Sequence, residues 1–172
     1  LLSEVYTAAT NSDADIYTIT DGILALTAAQ GYVDNTSEIN ELIPNLIQMQ
    51  TEQGTGFFTD EYGYTIDTTG MALQALAPYF NKGNASVDNA VNIAAEALGS
   101  TVQDDGNFKD PLNDTAEVNS SSDAMAITGL AACGFDPENY TTDVSPIDAL
   151  LSYQVAQGQT DAGSFNWTTD LT

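Results

Sequence analysis

The chain has no histidine and no arginine, and its 172 residues carry two lysines, Lys82 and Lys109, against 25 acids. Those absences exclude a great deal. Without His no Ser-His-Asp triad can form. Without clustered Lys and Arg nothing neutralises phosphate, which sets aside nucleic acid and anionic membrane surfaces as partners. A single cysteine, Cys133, rules out an internal disulfide and a Cys-rich zinc site. It follows Ala131-Ala132 and reads as a small core residue. No run approaches the roughly 18 apolar residues of a membrane span. No signal peptide is visible and the chain opens on Leu1. It therefore reads as an excised domain or a mature fragment, with any targeting segment out of view.

What is present favours a folded domain. Apolar residues make up 42% of the chain, enough for a core at this length. The acids are scattered, which suits a solvated surface of net charge −23 rather than an acidic tail. Self-repulsion on that scale is relieved by salt, so a salt-adapted source fits as well.

The most informative pattern is a repeat. Three times a Gly, then any residue, then Phe follows an apolar helical stretch. The sites are Gln53-Gly54-Thr55-Gly56-Phe57-Phe58, Gln103-Asp104-Asp105-Gly106-Asn107-Phe108 and Gln159-Thr160-Asp161-Ala162-Gly163-Ser164-Phe165. A second landmark recurs between them, Thr69-Gly70-Met71-Ala72-Leu73 reading against Asp123-Ala124-Met125-Ala126-Ile127, with a looser copy at Asp21-Gly22-Ile23-Leu24. Recurrence of this kind implies one supersecondary unit used several times, stacked to bury its apolar faces.

Each unit reads as two helices and a loop. Ile19, Ile23, Leu24 and Leu26 mark the first helix of the first unit, and Ile39, Leu42, Ile43, Leu46 and Ile47 the second. Pro44 costs about 3 kcal/mol inside a helix, so a late start or a kink is expected there. In the second unit Met71 to Leu76 give one helix. Ser86 is the expected N-cap of the next, which Gly99 closes. In the third, Met125 to Leu130 precede Gly134, and Ser145-Pro146 opens a helix whose stripe runs on to Val155. The expectation is an all-α fold of about three hairpins, over residues 15–58, 65–108 and 117–165. Gln53, Gly56, Phe58, Gln103, Gly106, Phe108, Gly163 and Phe165 form its structural repeat motif. Gly permits the positive-φ turn, and each Phe is expected to plug the gap between hairpins.

These phrases resemble the repeats of squalene cyclases and protein prenyltransferase β subunits. They are closer still to prenyltransferase-like repeat domains on surface proteins of Gram-positive bacteria. The segments carrying the likeness are 67–80, Gly134-Phe135-Asp136-Pro137 and 147–154. The resemblance implies an α/α toroid, of which three hairpins would be a partial ring. Homodimerisation or further C-terminal hairpins would then complete it.

The chemistry known for that fold makes demands that these residues meet only in part. Prenyl transfer needs a zinc held by Asp, Cys and His, and is excluded. Cyclases need an Asp-x-Asp-Asp acid, and Asp13-Ala14-Asp15-Ile16 lacks the last member and reads as a helix cap. Thioester domains need Cys-Gly-Glu-Gln, of which Cys133-Gly134 supplies two residues. Cobalamin carriers bind corrin with a second β domain. The loop Asp104, Asp105, Asn107, Asp110 has oxygen donors that a Ca²⁺ could use, but misses the terminal Glu, and Lys109 sits among them.

No catalytic and no cofactor residue is assigned. The reading is a non-catalytic extracellular interaction module for an unknown ligand or a protein or glycan partner. Its expected site is a concave face lined by the Met71 and Met125 helices and neighbouring tyrosines. The alternatives are a cyclase- or lyase-like enzyme resting on Asp67, Asp104, Asp105 and Asp123, and a cobalamin-carrier-like domain.

Overall fold

Seven α-helices carry the apolar periodicity among the described residues: α1 (Leu2–Ala9), α2 (Ile16–Ala29), α3 (Thr36–Gln53), α4 (Ile66–Leu76), α5 (Ala85–Gly99), α6 (Ser120–Ala132) and α7 (Pro146–Ser152). Two single-turn 3₁₀ helices, Ala77–Tyr79 and Pro137–Tyr140, follow α4 and α6. The structure, a computed structural model, describes residues 1–140 and 143–168, and of residues 51–53 the backbone only. Gln53 of the first motif therefore lies outside the described side chains. The fold is all-α, as the periodicity implies.

Local chemistry sets the helix ends. Asp15 caps α2 by accepting the Thr18 N–H at 2.7 Å, and Ser145 caps α7 by accepting that of Asp148 at 3.1 Å. The cap of α5 is Asn84 rather than Ser86, because its carbonyl oxygen reaches the N–H groups of Ser86 and Val87. Helix α3 starts at Thr36 and continues through Pro44. Pro44 and Asn40 are both exposed, so the carbonyl that loses its partner faces water. Helix α7 stops at Ser152, short of Val155, where the chain turns into its Gly-x-Phe segment.

Helices α2, α4 and α6 form a row in which each packs on the next, while α3 lies against both α2 and α5. Helix α1, which the sequence pattern did not indicate, packs on α2 and buries Ala9 against Gly22. The core runs along this row through Ile23, Leu26, Leu42, Leu46, Leu73, Leu76, Leu98 and Leu130, all fully buried. The α4–α6 crossing is the closest. A methyl group on Gly70 would collide with the Met125 carbonyl, and one on Gly129 with the backbone of Gly70. The two helices touch main chain to main chain there, a separation only glycine allows.

The Gly-x-Phe segment joins two successive helices of the row in its first two copies. Its glycine takes a positive φ in all three copies: 88° at Gly56, 83° at Gly106 and 91° at Gly163. Phe58 is fully buried, and its N–H donates to Thr69 Oγ1 in α4 at 3.0 Å. Phe108 is equally buried, and its N–H donates to Asp123 Oδ1 in α6 at 2.9 Å. Two residues further on, the same segments reach back to the preceding helix. Asp60 accepts from the Tyr17 hydroxyl of α2 at 2.9 Å, and Asp110 from the Thr65 N–H before α4 at 2.7 Å.

Among the described residues the third segment makes only the backward contact. The Trp167 carbonyl accepts the Ser120 N–H of α6 at 3.0 Å. Phe165 is 46% exposed and plugs nothing, contrary to expectation, because no further helix of the row lies among the described residues. The glutamine roles also differ. Gln103 folds onto its own loop at Thr101 O. In the first unit it is Gln50 that donates to Gly56 O at 2.8 Å and to Ala90 O at 3.0 Å.

Candidate binding cleft at the helix N-termini

The backward contacts place Asp60, Asp110 and Trp167 at the N-terminal ends of α2, α4 and α6. There the surface opens into a cleft of about 520 Å³. Tyr17, Tyr64, Ile66, Phe108 and Trp167 form its apolar walls, and Asp67, Asp110, Glu117, Asn119 and Ser122 supply its polar atoms. Tyr64 and Trp167 are 44% and 56% exposed, so their rings are available to a ligand. A second hollow of about 400 Å³ adjoins it, lined by Asp13, Asp15, Tyr17, Asp60, Glu61 and Tyr62. Tyr17 is common to both. Neither lysine lines either one, and Lys109 faces a separate hollow with Ser100 and Asp114.

The polar groups of the main cleft are held in distinct ways. Asp110 accepts from three backbone N–H groups, those of Thr65, Leu112 and Asn113, and is a structural cap. Asp67, in the first turn of α4, accepts only the Ser122 hydroxyl among the described residues, at 3.2 Å. Burial raises its carboxyl above the ordinary range; Asp110 and Asp60 add to the rise, and the Ser122 hydrogen bond partly offsets it. The Tyr17 phenol is pushed well above its usual value by burial and by the hydrogen bond to Asp60. Glu117 is exposed at the rim.

Behind the cleft wall lies Asp123, fully buried. One oxygen accepts the Phe108 N–H; the other has no partner among the described residues. Burial pushes its carboxyl up to about 7 against the pull of that N–H, with Asp105 and Asp67 adding to the rise. Nearby, the Tyr153 hydroxyl donates to Asn107 Oδ1 at 2.7 Å, and burial with the Asp123 charge raises its phenol to about 12.

The expected sites fare unevenly. The calcium candidate is not assembled. Asp105 accepts its own loop's Asn107 N–H, Asn107 faces Tyr153, and Asp110 turns away to α4. No three His, Cys, Asp or Glu side chains among the described residues converge as a metal site. Of the four carboxylates the enzyme reading rests on, Asp67 alone lines the cleft; Asp104, Asp105 and Asp123 do not. The ligand face expected from the Met71 and Met125 helices and neighbouring tyrosines meets the cleft through Ile66, Asp67, Ser122, Tyr17 and Tyr64, and not through the methionines themselves. Met125 packs against Gly70 and accepts from Gln74, and the cleft opens at the helix ends instead. Cys133 is half-buried against the core, and burial pushes its thiol up to about 11.

In comparisons with known proteins, no family profile and no curated sequence matches this chain.

Proposed function

We propose that this chain is a non-catalytic interaction module of the prenyltransferase-like α/α kind, carried on a secreted or surface protein. The cleft at the N-termini of α2, α4 and α6 is its recognition site. The observation that carries this reading is the composition of the cleft: Tyr64 and Trp167 stand exposed on its walls among carboxylates, and neither lysine lines it. Concave, aromatic-walled sites with a few polar groups are the usual form of ligand pockets.

Trp167 is the sole tryptophan, so intrinsic fluorescence reports on the cleft directly. A panel of oligosaccharides, peptides and amines, read by Trp167 emission with recovery of each binder, tests the proposal. The expected result is a ligand that shifts the emission, loses affinity in Tyr64→Ala and is recovered unchanged. Chemical conversion of a binder would favour the lyase or cyclase reading with Asp67 as its acid. Binding indifferent to Tyr64→Ala would remove the cleft as the site.

A further inference from the structure

The hydrogen-bonding inventory of the cleft names the chemistry it can accept. Its side-chain donors are nearly all committed within the protein. The Ser122 hydroxyl donates to Asp67, and the Asn119 amide to Glu117 O and Ser122 Oγ. The Thr115 hydroxyl donates to Asn113, and the Tyr17 hydroxyl to Asp60. Among the described residues this leaves the Tyr64 hydroxyl and the Trp167 indole as open side-chain donors. The acceptors are in surplus: Asp67 has one oxygen beyond its Ser122 bond, and Glu117 has both.

A sugar brings as many acceptors as donors, and its acceptors would meet carboxylates. An ammonium group brings three donors and no acceptor. It also gains from standing over the faces of Tyr64 and Trp167, since the negative ring face attracts a cation. The adjoining hollow sets Asp13 and Glu61 beside Tyr62 and meets the first at Tyr17, while its Asp15 and Asp60 already accept protein N–H and hydroxyl groups. The net charge of −23 steers cations toward the surface in general; the aromatic walls give these two hollows a means of retaining one.

Building on the cleft reading above, we infer that the site binds alkylammonium groups, with one ligand able to place an ammonium in each hollow. The chemistry is shared by free polyamines and by lysine side chains of an extended peptide. The experiment therefore runs both spermidine and an acetylated Lys-Gly-Lys peptide, in about 0.15 M salt to suppress diffuse attraction. Magnesium is the charge control, and neutral chitohexaose the sugar control.

Trp167 emission is expected to change saturably with spermidine, the peptide or both, well before any response to magnesium. Glu117→Gln and Asp67→Asn should each weaken that response about tenfold, as loss of a charged hydrogen-bonding partner does. Glu96→Gln, which removes the same charge from an exposed position on α5, should change it less than about twofold. Equal effects of all three variants would mean diffuse condensation of cations and would overturn the inference. Saturable binding of chitohexaose alone, abolished by Tyr64→Ala, would overturn the ammonium assignment and leave the cleft standing. If no probe is sensitive to Tyr64→Ala, the ammonium assignment and the cleft both fall.

Discussion

The Phe108 N–H donates to the buried Asp123 carboxylate at 2.9 Å, and one repeat earlier the Phe58 N–H donates to the Thr69 hydroxyl at 3.0 Å. The same structural task is done once by an acid and once by a neutral group. The acid carries a consequence that the hydroxyl does not, because its second oxygen is buried without a partner.

Burial raises the Asp123 carboxyl to about 7, above the roughly 4 of an unfolded chain. A raised pKa means the folded state binds this proton more tightly. The stabilisation is complete below the unfolded value and is lost as pH rises through about 7. Urea midpoints should therefore fall between about pH 5 and pH 8, a window in which exposed carboxylates are already ionised. Asp123→Thr, which copies the first repeat, should flatten that slope. An identical slope in the variant would show that Asp123 does not titrate there.

Phe108→Ala should cost about 3–5 kcal/mol, since it empties a sealed position between α4 and α6. Phe165→Ala should cost less than about 1 kcal/mol, because that side chain is 46% exposed. Urea denaturation of the two variants measures the contrast. Equal losses would mean that the third segment is held as firmly as the second.

Gly70→Ala should be severely destabilising, by more than about 3 kcal/mol, because the obstacle is the Met125 backbone and cannot swing aside. Gly31→Ala is the control. Its added methyl would meet nothing within 4 Å and its φ is ordinary, so stability should hold or rise slightly. If Gly70→Ala melts like the wild type, the α4–α6 crossing is wider than the contacts require.

The melting temperature should rise between about 10 mM and 500 mM NaCl, as screening relieves repulsion among the acids. Matched doses of calcium and magnesium should act alike, since the 104–110 loop does not gather its oxygens. A calcium-specific stabilisation at millimolar concentration would contradict that geometry.

The helix class was legible because apolar residues at i, i+3, i+4 and i+7 state it directly, as at Leu42, Ile43 and Leu46. Motif spacing marked Phe58 and Phe108 as plugs, and Phe165, in the same motif, has no helix of the row packed over it among the described residues. Helix α1 was missed because a single buried alanine, Ala9, is too short a stripe to read. The cleft was invisible for a different reason. Tyr17 and Asp60 stand 43 residues apart and meet only after α2 has packed on the first Gly-x-Phe segment. One signal was available in retrospect. The position two beyond each Phe holds Asp60, Asp110 and Trp167, and these three residues define the helix-end face.

Binding in the cleft is tested most directly by a map of backbone amide shifts in the isotope-labelled protein as spermidine is added. The changes are expected to gather at residues 64–67 and 115–122, around the cleft walls, and to shrink in Glu117→Gln. Changes spread along the exposed faces of α3 and α5, or centred on the 104–106 loop, would contradict binding there.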